Sequence, residues 1–306
     1  MKRIALFILL VFVAFSCKPH VFPVIDNILA EPDSVYPGDT LALSFTSSNI
    51  HQVDQFEWSC SFGTLVSSNN LSYGSTRWIA PGKLGTCYIK LRLFHGTNIT
   101  TDSIKVIVLD TTGTFIDTRD NHNYKWKRIG KQIWMVENLS YLPKINSVEA
   151  YGQLEKYFYV YGYTGTNVLA AKQSANYLTY GVLYNYPAAI EACPGGWHLP
   201  GYDEWMILIK YLNPHPGIKL KSVYGWEKDY YGNDCNGNNS SGFDVLPGGA
   251  TNYHPVHGLG YFAAGQYALF WSKAYYSFIL IQSSDYDLIP DDAQNGLSVR
   301  CINNFH

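Results

Sequence analysis

Three groups of side chains in this 306-residue chain are of types that could do chemistry. Histidine is the first: His198 sits between Trp197 and Leu199, and His254 and His257 flank Pro255-Val256 in a stretch rich in glycine and tyrosine. A zinc site needs three or four His, Cys or carboxylate ligands at short spacing. No such residues accompany His198, so it reads as a structural histidine at a strand-to-helix corner, and His254 and His257 make only an exposed pair. The second group is Asp285, Asp287, Asp291 and Asp292, oxygen donors of the kind calcium accepts; they read as a solvated acidic loop, and no metal is assigned. The third is aromatic: Trp226, Tyr230, Tyr253, Tyr261 and Trp271 lie in glycine-punctuated segments, where flat faces on supported loops suit stacking on a sugar or peptide. No Ser-His-Asp set, paired catalytic carboxylates or phosphate loop appears. The chemistry on offer is therefore non-catalytic binding, with no cofactor.

The six cysteines divide by context. Lys2 and Arg3 precede an apolar run, Ile4 to Phe15, too short for the roughly 20 residues of a membrane-spanning helix and readable as a signal peptide over residues 1–16. The run closes in Ala14-Phe15-Ser16-Cys17, a lipobox-like sequence in which Cys17 would be acylated. The acyl chains would anchor the protein in the outer membrane, with cell-surface exposure the expected outcome, since each buried CH₂ contributes about 0.8 kcal/mol. Cys60 and Cys87 stand 27 positions apart. They could pair, closing a loop worth about 3 kcal/mol in the chain-entropy model, or remain buried thiols. Cys235, in Asn233-Asp234-Cys235-Asn236-Gly237, is left over as a free thiol or an intermolecular bridge.

The elements that must position these groups fall into two modules. With 47% hydrophobic residues the chain can fill packed cores. Its 22 Lys+Arg are scattered without runs at a net charge of −2, which leaves no basic footprint for nucleic acid. After a tether over 17–23, residues 24–110 carry turn signals at Glu31-Pro32-Asp33 and Tyr36-Pro37-Gly38-Asp39. Short alternating runs accompany them: Thr40 to Phe45, Gln55 to Ser59, Thr76 to Ile79, Thr86 to Leu93 and Ser103 to Leu109. Strands at that spacing predict an all-β sandwich, with Trp58 and Trp78 in its core. Its turns and tryptophans resemble an immunoglobulin-like or PKD-like stalk. Asp110 to Thr114 reads as a polar connector.

The second module, 117–306, opens with a hairpin turning at Gly130-Lys131. Tyrosines at 157, 159, 161 and 163 would share one face of a strand, either covered by neighbours or free as a platform. Pro187 fits the first position of a short helix, followed by Cys193. Trp205, Leu208, Ile209 and Leu212 recur at helical spacing after Pro200-Gly201. From Pro214 to Asn295 the chain reads mostly as loops, with short strands at Trp226 to Tyr231, Phe243 to Leu246, Leu269 to Lys273 and Phe278 to Gln282.

Three stretches here act together: Cys193-Pro194-Gly195-Gly196-Trp197-His198-Leu199-Pro200, Gly242-Phe243-Asp244-Val245-Leu246-Pro247-Gly248-Gly249 and Gly296-Leu297-Ser298-Val299-Arg300-Cys301. With Trp134-Met135-Val136-Glu137-Asn138-Leu139 they resemble the Fibrobacter succinogenes major paralogous domain of bacterial surface lipoproteins. That resemblance implies an α+β C-type lectin-like fold and a Cys193–Cys301 disulfide. The Glu-Pro-Asn and Trp-Asn-Asp triplets of calcium-dependent lectins are absent, so sugar recognition here would not copy that mechanism. The implied function is a lipid-anchored envelope protein presenting a head to a glycan or a surface protein. The alternatives are a structural or fimbrial accessory role, and an enzyme related to formylglycine-generating sulfatase modifiers, whose pattern the Trp-His-Leu-Pro…Glu-Trp run also resembles.

Overall fold

The computed structural model describes residues 22–66, 75–254, 258–281 and 286–303. Cys17 lies outside them, as do Asp285, His257 and the side chains of Tyr253 and His254. The chain divides into two compact units at Asp110/Thr111.

The first unit is a sandwich of two four-stranded sheets. Its strands are β1 (Val24–Ala30), β2 (Ser34–Val35), β3 (Thr40–Ser48), β4 (Gln55–Cys60), β5 (Thr64–Val66), β6 (Thr76–Ile79), β7 (Gly85–His95) and β8 (Asn98–Val108). One sheet has the order β1-β3-β6-β5 and the other β2-β8-β7-β4. The alternation of β7, with Cys87, Ile89, Leu91 and Leu93 buried and the residues between them exposed, sends one face inward. It meets Leu41, Leu43 and Trp78 from the opposite sheet. Trp78 is fully buried, and its indole N–H donates to Phe62 O at 3.0 Å. Gly63 is required beside it: φ is +93°, and a Cβ there would fall 2.3 Å from the indole nitrogen.

Cys60 and Cys87 are not bridged, and both are free thiols. Cys60 of β4 lies opposite Ile89 of β7, so Cys87 is two positions out of register on the neighbouring strand of the same sheet. Such diagonal neighbours are roughly 7–8 Å apart, beyond the roughly 4.4–6.8 Å a disulfide spans. Each thiol turns to a carbonyl instead: Cys87 to Phe62 O at 3.3 Å, Cys60 to Gly63 O at 3.6 Å. Burial, and then the neighbouring Cys87, push the Cys60 thiol above its ordinary pKa.

The second unit begins earlier than the sequence implied. The supposed connector forms β9 (Thr112–Asp117), which pairs with β10 (His122–Ile129). β10 turns at Gly130 into β11 (Gln132–Met135). Then follow β12 (Phe158–Tyr159), α1 (Val168–Lys172), α2 (Ala175–Tyr180), β13 (Leu183–Tyr184), α3 (Tyr186–Ala189), β14 (Trp197–His198), α4 (Tyr202–Leu212) and α5 (Pro216–Leu220). The chain ends in β15 (Gly248–His254), β16 (Gly258–Ala264), β17 (Tyr267–Ser272), β18 (Tyr276–Ile281), β19 (Asp287–Pro290), β20 (Leu297–Ser298) and β21 (Ile302–Asn303). One sheet runs β14-β21-β11-β10-β9; the other runs β12-β13-β20-β17-β15-β16, with β18 and β19 branching from β17. The stretch 248–290, expected to be mostly loop, is thus largely sheet.

Two apolar clusters lie on either side of these strands. In β17, Leu269 and Trp271 face one cluster and Ala268 and Phe270 the other; in β18, Ile279 opposes Phe278 and Leu280 in the same way. Strands covered on both faces read as unbroken apolar runs rather than as alternation. α4 closes the second cluster with Trp205, Leu208, Ile209 and Leu212, as its spacing predicts. Gly201 has no side chain to cap this helix, but Glu204 accepts its N–H at 2.7 Å, one half of a capping box.

Cys193 and Cys301 are bonded across a separation of 108 residues. The adjacent Arg300 is fully buried, its guanidinium over the rings of Phe243 and Phe270. It donates to Asn138 Oδ1 at 2.8 Å and to Phe243 O. Burial brings its pKa down to about 9.

Candidate functional site

Four of the five aromatic candidates, all but Tyr253, have described side chains, and these separate by environment. Trp226 is only 5% exposed, and its indole donates to Val245 O at 3.1 Å. Trp271 is 0% exposed and donates to Tyr184 O at 2.6 Å. Both are core residues rather than binding faces, because each sits where apolar strands and loops close over it. Tyr261 is half-buried; its hydroxyl donates to Tyr163 O at 2.8 Å and its ring packs on Tyr161 at 5.2 Å. Desolvation holds that hydroxyl well above its ordinary pKa. The tyrosine series around it offers no free platform either: Tyr159 is buried, Tyr157, Tyr161 and Tyr163 are half-buried, and the regular strand there is only Phe158–Tyr159.

Tyr230 is different. It is 96% exposed, and its neighbour Tyr231, which the sequence reading missed, is 84% exposed. The rings meet edge to face, with centroids 5.4 Å apart and planes at 85°. They occupy the two central positions of a turn that begins at Asp229 and ends at Gly232, closed by Gly232 N donating to Asp229 O at 2.9 Å. Gly232 takes φ +84°, and Asp at the first position with Gly at the fourth is the ordinary composition of such a turn. Central turn residues project away from the chain, so both rings stand in solvent.

The turn is fixed by its own acid. Asp229 Oδ1 accepts the N–H of Tyr231 at 2.9 Å and of Asn233 at 2.8 Å, and Oδ2 accepts from Asn233 Nδ2 at 2.9 Å. The Asn233 side chain, followed by these backbone donors, holds the Asp229 carboxyl below its ordinary pKa. Beneath the tip, Trp226 N donates to Asn236 Oδ1 at 3.0 Å and Glu227 N to Gly265 O at 2.8 Å. Buried Trp226 is therefore the root of the loop and Tyr230-Tyr231 its tip. Val223 and Tyr224, at its start, are also exposed.

Cys235 is buried at the base of the same loop, its thiol 3.6 Å from Asn233 O. Burial takes it out of reach of a second molecule. The three described acidic candidates are engaged locally: Asp287 accepts from Leu288 N, Asp291 from Asp292 N and Asn295 Nδ2, and Asp292 from Gln294 and Gln153. Among the described residues no cluster of three His, Cys, Asp or Glu could hold a metal ion. His198 Nε2 lies 2.7 Å from Glu204 Oε1, the carboxylate that also caps α4, which gives it a structural partner at the corner.

A family model described as the Fibrobacter succinogenes major domain matches residues 128–303, which include the exposed tyrosine turn and the disulfide. No curated protein and no solved structure matches the chain.

Proposed function

The chain belongs to the Fibrobacter succinogenes major domain family, and from that premise we propose that it is a non-catalytic binding protein whose second unit engages glycan through Tyr230 and Tyr231. The observation that carries this reading is the exposed tyrosine pair on a turn locked by Asp229. Two large rings held in solvent by hydrogen bonds present stacking faces with little ordering cost on binding. The acidic side chains near the carboxyl end are engaged in local turns, so the recognition proposed is independent of calcium.

The finer architecture belongs to the same proposal. We take the second unit as C-type lectin-like, in keeping with its disulfide from the region after α3 to the residue just before the last strand and its long irregular segment 221–247. The first unit is taken as an immunoglobulin-like stalk, in keeping with an antiparallel four-stranded sheet packed on a second in which β4, β7 and β8 are antiparallel and β2 pairs parallel with β8. Cys17 would be acylated and hold the protein at the outer membrane, facing outward.

The test is a glycan screen of the protein in calcium and in chelator. Retention of the same glycans in both conditions is expected. Retention only in calcium, or none in either condition, would overturn the reading.

A further inference from the structure

A groove of about 510 Å³ opens in the second unit between segment 141–157 and the residues of and after α3. That is within the range of roughly 300–1,000 Å³ typical of small-molecule sites. Its floor is apolar, formed by the buried Phe158, Ala188 and Ala192. Leu154 stands at its mouth, 93% exposed.

The wall that carries Leu154 is irregular in backbone yet tied at almost every second residue. Buried Asn185 ties it to α3 with three hydrogen bonds and caps α3 with a fourth: Oδ1 accepts from Tyr157 N at 2.9 Å and from Ala188 N at 3.2 Å, and Nδ2 donates to Gly152 O at 2.9 Å and Glu155 O at 2.7 Å. Tyr159 OH donates to Ala150 O at 2.9 Å, and Gln153 Nε2 to Asp292 Oδ1 at 3.0 Å. A ligand entering the groove meets a wall already ordered, so it avoids much of the entropy cost of shaping one.

The charges on the rim decide the ligand class. Lys156 and Glu191 neutralise each other at 2.5 Å. Lys144 and Glu155 remain. The Lys144 ammonium lies 5.9 Å from the ring centroids of both Tyr157 and Phe158, and among the described residues neither Lys144 nor Glu155 has an ion-pair partner. The groove thus offers one free cation and one free anion beside an apolar floor. A neutral sugar would satisfy neither charge, and a fatty acid would use Lys144 alone.

We propose that this groove binds a zwitterionic apolar amino acid or short peptide, its carboxylate at Lys144, its ammonium at Glu155 and its side chain over Phe158. The site is separate from Tyr230 and Tyr231, so failure of either reading leaves the other standing.

The test is calorimetric titration of the full chain with leucyl-leucine, its N-acetyl derivative and its C-terminal amide. The free dipeptide is expected to bind, and each cap to weaken binding tenfold or more. Lys144→Gln should abolish the penalty of amidation alone, and Glu155→Gln that of acetylation alone; both side chains are exposed, so circular dichroism should confirm unchanged folding. Absence of dipeptide binding at millimolar concentration would overturn the proposal. So would equal binding of the capped forms, indifference to both substitutions, or equal competition by a neutral disaccharide.

Discussion

Asn185→Ala removes one side chain and unties four backbone groups at once. Asn185 is fully buried; it caps α3 through Ala188 N and secures Tyr157 N, Gly152 O and Glu155 O. Loss of an N-cap costs about 1 kcal/mol. A buried backbone group left unsatisfied costs about 1–3 kcal/mol, and three are left here. Gly152 and Glu155 lie near solvent, so water can recover part of two of them, which brings the expected total to about 3–4 kcal/mol. With a urea m-value of about 1–3 kcal/mol/M, the transition of the second unit should move down by more than about 1 M, read by tryptophan fluorescence. Asn185→Asp keeps the two accepted bonds and turns a carboxylate toward two carbonyls, which favours its neutral form in the fold. Its folded pKa is therefore raised above the unfolded value, so the variant is least destabilised in acid and loses stability as pH rises through that folded pKa. A shift under about 1 kcal/mol for Asn185→Ala, or no pH dependence for Asn185→Asp, would refute the reasoning.

Other outcomes follow from the same structure. Cys301→Ser should cost the second unit about 4–5 kcal/mol, since the bond closes a loop of 108 residues; an unchanged denaturation midpoint with and without reductant would contradict this. Alkylation under denaturing, non-reducing conditions should modify Cys60, Cys87 and Cys235, and recovery of Cys60 and Cys87 as a linked peptide pair would contradict the register assigned to β4 and β7. Labelled fatty acid should be incorporated by the wild type and not by Cys17→Ala, and equal labelling would remove the proposed anchor.

How much could be read in advance depended on what each segment packs against. α4 was legible because only one of its faces is buried, so Trp205, Leu208, Ile209 and Leu212 stand out at helical spacing. The strands of the first unit were legible for the corresponding reason, alternation, except the short β2 and β5 and the N-terminal β1. β15 and β16 were missed because glycines interrupt them, and the bounds of β17 and β18 were blurred because both faces are covered. Residue type alone does not say which way a side chain points, so Trp226 and Trp271 passed for surface aromatics. The Cys60–Cys87 mismatch depends on a two-residue offset between strands that is fixed only by pairing. Tyr231 had a signal that was overlooked: Asp229 and Gly232 bracket it and Tyr230 as the ends of a turn, which requires the residues between them to project.

The central claim is that glycan is held by the two tyrosines on the Asp229 turn. Its most direct test is the affinity, in chelator, of the wild type and of the Tyr230→Ala/Tyr231→Ala double variant for the glycan best retained in the screen. The two exposed rings contribute nothing to the cores, so the variant should fold and melt as the wild type does while its affinity falls at least tenfold. Equal affinity in a correctly folded double variant would contradict the account.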